Sequence, residues 1–187
     1  IAAKEVQADS KTRAGWCSEW LRTGGFPEVV IDGAGPKYLA TLFDAIILRD
    51  LVSRHRIRNS LAIKTLAQIL INNTTCRYSA RGLERSLGKL SFSTIQRYIG
   101  FFGEAYLLFE LEAFSFKARQ RVRSEKKIFA VDNGFIRACS QSLLGGEAPA
   151  LENTVFIELI RQGYVPNLSL FYARTKSGFE VDFLLPD

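Results

Sequence analysis

Between residues 151 and 185 the chain changes the period of its apolar residues and carries acids through the change. Leu151-Glu152-Asn153-Thr154-Val155-Phe156-Ile157-Glu158-Leu159 reads as an amphipathic helix, whereas Phe179-Glu180-Val181-Asp182-Phe183 alternates apolar and acidic residues as a strand does. With a further strand expected around Leu168 to Tyr172, this predicts an αββ unit. Glu180 and Asp182, two residues apart, share one face of their strand. Acids so placed either do chemistry or are satisfied structural groups: a first-turn helix carboxylate such as Glu152 is an ordinary partner of the helix dipole.

The rest of the chain restricts the setting. Its 187 residues are 47% hydrophobic, enough to bury a core, and exclude a disordered or fibrous chain. No apolar run reaches the roughly 20 residues that span a bilayer, and the start lacks a signal-peptide pattern, so a soluble, cytoplasmic protein with no membrane partner is expected. Cys17, Cys76 and Cys139 lie far apart and are expected to be reduced and mostly buried; with one histidine, His55, they form no zinc pattern. The absence of methionine beside 14 phenylalanines points to a piece of something longer. A net charge of +6 favours an anionic partner.

Before residue 131 the pattern is mainly helical. Residues 1–14 are expected to be a tail or linker, and Gly24-Gly25-Phe26-Pro27 breaks a short helix around Trp16 and Trp20. A helix opens at Pro36 and runs to Leu51, and a second covers Leu61 to Ile71. Ser79 caps a short helix closed by Gly88, and Ser91 or Ser93 caps a third that runs to Tyr106. This succession has helix-turn-helix order. Leu107 to Phe116 and Lys126 to Val131 then read as the strands of a hairpin, or wing. Between them Lys117, Arg119, Arg121 and Arg123 alternate, so an extended backbone would put all four on one face, suited to a phosphate backbone. Ser93, Thr94, Gln96 and Arg97 would be the exposed start of a recognition helix. The Leu143 to Ala150 stretch reads as a linker.

Gly24-Gly25-Phe26-Pro27-Glu28, Leu48-Arg49-Asp50-Leu51-Val52, Ser93-Thr94-Ile95-Gln96-Arg97-Tyr98, Val131-Asp132-Asn133-Gly134, Leu151-Glu152-Asn153 and Phe179-Glu180-Val181-Asp182-Phe183 occur in that order. Together they resemble the C-terminal region, domain of unknown function 4143, of prokaryotic AAA+-like ATPases. The resemblance implies an α+β (mixed α/β) fold: a helical winged-helix segment over 15–130, then a truncated restriction-endonuclease-like, PD-(D/E)XK-type αβ unit over 131–187. It also implies an ATPase domain elsewhere in the same polypeptide, to which ATP binding is assigned, because this chain has no phosphate loop.

In a PD-(D/E)XK site a helix acid, a strand acid and the acid of a Glu-x-Lys pair hold a divalent metal. By that resemblance Glu152 and Asp182 are the expected metal ligands, with Mg²⁺ or Mn²⁺ the suited ions. Glu152, Asp182 and Glu180 are the expected catalytic set, and the strand supplying Glu-x-Lys is expected beyond Asp187. The leading expectation is an accessory region that binds DNA through its winged helix and carries a nuclease-like domain. Two alternatives stay open: a non-catalytic protein-docking or regulatory module, and an active Mg²⁺-dependent nuclease.

Overall fold

The computed structural model describes residues 10–139, 147–175 and 177–186. Helices α1 (Ser10–Thr23), α2 (Pro27–Val30) and α3 (Pro36–Ala45) come first, and α3 continues as a π-helical segment, Ile46–Val52. There follow α4 (Ser60–Asn72), β1 (Arg77–Tyr78), α5 (Ala80–Leu87), α6 (Phe92–Glu104), β2 (Leu108–Glu112), α7 (Ala118–Arg123) and β3 (Lys126–Ala130). The last elements are α8 (Asn133–Cys139), α9 (Glu147–Arg161), β4 (Phe171–Arg174) and β5 (Glu180–Leu184). The chain is α+β, with an antiparallel sheet in the order β1-β3-β2 and a β4-β5 hairpin. No described helix is long and apolar enough to cross a membrane.

Local chemistry sets the helix ends. Ser79 Oγ accepts from Gly82 N at 3.1 Å and Ser91 Oγ from Thr94 N at 3.3 Å, so both serines cap the helices they precede. Asn59 Oδ1 caps α4 through Ala62 N at 3.0 Å. Gly88 closes α5 with φ +60°, a left-handed conformation that costs a residue with a Cβ.

The central strand β3 is buried on both faces and so divides the interior in two. Its even positions, Ile128 and Ala130, join Leu108 of β2 in a core with Phe43, Ile63, Leu66, Ile95 and Phe102 of the helices. Its odd position Phe129 joins Leu111, Phe156 of α9, and Leu170 and Tyr172 at β4 in a second core. Phe129 stacks on Phe156 with centroids 4.1 Å apart. Lys127, across from Leu111, is on this second face, beneath the C-terminal elements.

Several expectations are corrected. Residues 118–123 are helical, with Gln120 N and Arg121 N bonded to Lys117 O at 2.9 and 3.3 Å. Alanine, arginine and glutamine are strong helix formers, and alternate positions of a helix lie about 200° apart, so 117, 119, 121 and 123 form no one-faced ribbon. The strand expected to reach Phe116 ends at Glu112, and Phe116 is 95% exposed. Helix α1 begins within the expected tail at Ser10, and α9 within the expected linker at Glu147; residues 1–9 and 140–146 lie outside the described residues. The strand expected over Leu168 to Tyr172 starts at Phe171, after a turn in which Leu168 N and Ser169 N bond Val165 O. Cys17 and Cys76 are exposed, not buried. Packing does not part at residue 131: Phe135 of α8 packs edge-on against Phe43, with centroids 5.7 Å apart.

Candidate functional site: three carboxylates on a buried lysine

The acids singled out by the sequence come together, and the group they meet is Lys127. Helix α9 brings Glu152 over β3, and the alternation of β5 brings Glu180 and Asp182 to the same point. Lys127 Nζ lies 2.5 Å from Glu180 Oε1, 2.7 Å from Glu152 Oε1 and 2.8 Å from Asp182 Oδ1. Its ammonium donates to Glu152 and Asp182 and is ion-paired with Glu180 as well. The lysine side chain is 2% exposed, against 19% for Glu152 and 54% for Asp182, so the cluster has a closed floor and an open rim.

Its surroundings are aromatic and ionic. Lys127 Nζ lies 5.8 Å from the centre of the Tyr172 ring, whose hydroxyl donates to Glu125 O at 2.5 Å. Arg77, opposite Lys127 on β1, reaches Glu180 Oε2 at 3.3 Å. Three carboxylates therefore face two cations. Burial alone would push the Lys127 pKa down, but the hydrogen bonds to Asp182, Glu152 and Glu180 outweigh it, and the ammonium is held above the usual lysine range. Burial raises the Glu152 carboxyl; Lys127 opposes that shift and the neighbouring acids add to it.

A divalent ion of the Mg²⁺ type requires near-octahedral oxygens at roughly 2.0–2.1 Å. Here the point shared by the three carboxylates is filled by the ammonium, and the described residues contain no group of three or more His, Cys, Asp or Glu able to hold a metal ion. In this arrangement Glu152, Glu180 and Asp182 converge on the Lys127 ammonium. The sequence places Lys127 only within the returning strand Lys126 to Val131, with no partner assigned to it. The available signal was its place in Lys126-Lys127-Ile128-Phe129-Ala130: on a strand buried on both faces, a lysine beside Phe129 in the pleat must be paired.

One residue along α9, a second polar cluster joins the same strand. Asn153, fully buried, accepts from Ala130 N at 2.8 Å and donates to Ala130 O at 3.1 Å and Asn133 Oδ1 at 2.9 Å. Asn133 Nδ2 donates to Thr154 Oγ1 at 2.8 Å and to Ala150 O at 3.1 Å. Asp132 accepts from Gly25 N and Gly134 N, each at 2.7 Å. Gly24 has φ +83°, and a Cβ there would stand 1.8 Å from Asp132 Oδ1. The motifs at 24–27, 131–134 and 151–153 are thus one assembly, which ties the N-terminal helix to α9.

The expected nucleic-acid residues fall in two places. Ser93, Gln96 and Arg97 are exposed and Thr94 half-buried on the first turns of α6, whose opposite side buries Ile95, Tyr98, Ile99 and Phe102. On the α7 segment Lys117 and Arg119 are exposed, while Arg121 lies over the Phe171 ring at 5.9 Å. Arg123 belongs to the same helix.

Fold and site define an α+β protein whose N-terminal helices and C-terminal carboxylates share one central strand. The chain belongs to the family described as a domain of unknown function, DUF8612, whose model matches residues 15–145. That match includes Lys127 and Asp132 and ends before Glu152, Glu180 and Asp182. An uncharacterized protein of Methanocaldococcus jannaschii is 37% identical over 177 residues, which are 91% of this chain and 39% of the relative. An uncharacterized protein of Haemophilus influenzae is 28% identical over 190 residues, 98% of this chain and 46% of the relative. The chain thus spans less than half the length of these relatives. No solved structure matches it.

Proposed function

We propose that this chain is the accessory region of a larger prokaryotic AAA+-like ATPase, that it binds DNA through a winged helix, and that its nuclease-like carboxylate site is closed by Lys127. The observation that carries the reading is the order α4-β1-α5-α6-β2-β3 with strands arranged β1-β3-β2. A winged helix has that order, and on this reading α6 is the recognition helix, with Ser93, Gln96 and Arg97 exposed and Thr94 half-buried on its first turns. The relatives' additional length leaves room for an ATPase domain, and the six motifs that resemble domain of unknown function 4143 support the same context. The absence of a one-faced basic ribbon shifts the expected contact from the wing to α6.

Fluorescence anisotropy of a labelled duplex across a salt series tests the binding. Affinity is expected to fall steeply with salt, and Arg97→Ala to weaken it roughly tenfold, as one lost arginine contact does. No binding at low salt, or an Arg97→Ala variant equal to wild type, rejects the recognition-helix reading. Plasmid nicking in Mg²⁺ or Mn²⁺ tests the closed site: wild type and Asp182→Ala are expected to be equally inactive, and cleavage lost in Asp182→Ala would establish the nuclease alternative.

A further inference from the structure

A cavity of about 1280 Å³ opens between α1, the 24–36 segment, α8 and α9. Both tryptophans of the chain, Trp16 and Trp20, line it, with Arg22, Arg137 and Arg161 against a single acid, Glu19, a net lining charge of +2. Among the described residues none of these arginines stands in an ion pair. Arg161 lies over the Trp20 ring at 5.9 Å, whereas Trp16 keeps 43% of its surface exposed. The glycines at its back are held by Asp132, whose carboxylate is turned onto the amides of Gly25 and Gly134. Asp132 is thus engaged with backbone, with Arg161 near enough to act on it electrostatically.

Indole faces beside guanidiniums that outnumber the acids of the lining suit a ligand that is flat and aromatic at one end and anionic at the other. Aromatic stacking on a base is worth roughly 1–3 kcal/mol, and guanidinium is the group of choice for phosphate. The volume exceeds the roughly 300–1,000 Å³ of most small-molecule sites, so base, sugar and phosphate fit together. We propose that this cavity binds a nucleobase together with its phosphate, the base on Trp16 and the phosphate between Arg137 and Arg161. The ligand's source is a free nucleotide or an unpaired nucleotide of a strand. This site is separate from α6 and does not rest on the winged-helix reading.

Because both tryptophans line the cavity, intrinsic fluorescence reports its occupancy. AMP, ADP, adenosine, inorganic phosphate and a short oligothymidylate are titrated into the whole chain. Saturable quenching by AMP or ADP is expected for a free nucleotide, and quenching by the oligonucleotide alone for a strand; either supports the site. Adenosine and phosphate given separately are expected to bind at least tenfold more weakly. Arg137→Ala, at an exposed position, is expected to lower the affinity at least tenfold with an unchanged circular dichroism spectrum, whereas Arg58→Ala, at an exposed position outside the cavity, leaves the quenching intact. No quenching by any nucleotide or oligonucleotide, equal affinity for adenosine and AMP, or an unaffected Arg137→Ala variant overturns the proposal. Loss of quenching in Arg58→Ala would likewise overturn it, by showing that the signal does not depend on the cavity's own arginines.

Discussion

Glu152 and Asn153, adjacent on α9, both reach β3, and they hold it in opposite ways. Asn153 forms a neutral pairing with the backbone of Ala130, in which amide donors and acceptors match. Glu152 enters an ionic cluster of three carboxylates around Lys127, with Arg77 compensating part of the excess. A matched neutral pair is bound to one geometry, because its partner is main chain. An ionic cluster with surplus charge and an open rim depends on each partner's charge and can be altered from either side. The contrast separates what fixes the fold from what could respond to a ligand.

Removing Lys127 should have the largest effect. Lys127→Ala leaves three carboxylates converging without their cation, and breaking a buried ion pair from one side costs about 3–5 kcal/mol. Urea unfolding should show that loss, and Lys127→Met combined with Glu152→Gln and Glu180→Gln should recover much of it. A loss under about 1 kcal/mol would place the cluster among ordinary surface ion pairs.

Asn153→Leu should come next, at about 2–3 kcal/mol, because it strands the Ala130 amide and carbonyl in the interior. No second side-chain substitution should rescue it, since those partners belong to the backbone. Rescue by a change at Asn133 would show that the side-chain bond to Asn133 Oδ1, and not the pairing with Ala130, carries the stability.

The two contacts also differ in pH response. The Lys127 pKa is raised in the folded protein, so its contribution is fully present below the unfolded lysine value, about 10.4, and is lost as pH rises through the higher folded value. Stability should therefore fall above pH ~10 with a Lys127 share of at most about 1.4 kcal/mol per pH unit. Asn153→Leu should keep that share and the Lys127→Met variant should lack it. Equal alkaline slopes in these two variants would contradict the ionic account.

What the sequence disclosed follows the range of each force. Ser79, Ser91 and Gly88 act within a single helical turn, and their caps and stop were legible. The period-2 spacing of Glu180 and Asp182 set their common face, and the helical period of 151–159 placed Glu152 on the preceding helix. Lys127 was illegible because its partners are 25 to 55 residues away, and beside Lys126 it looks like solvated charge. The 117–123 run failed for a different reason. Its alternation contained no apolar face to fix a strand, so intrinsic helix preference decided the backbone.

The smallest expected effect separates the acids of the cluster from one another. Asp182 is 54% exposed, and Asn at that position keeps an oxygen that can accept from Lys127, so Asp182→Asn should cost at most about 1 kcal/mol. Glu152 is more covered, at 19% exposure, and Glu152→Leu should cost more, because it removes a half-buried acceptor from a fully buried ammonium. Urea unfolding of the two variants decides the order. If Asp182→Asn proves the more damaging, the rim carboxylate is as structural as the floor and the cluster is a sealed clasp. If the expected order holds, Asp182 is the acid the scaffold can spare, and Glu152 is the one that holds the lysine in place.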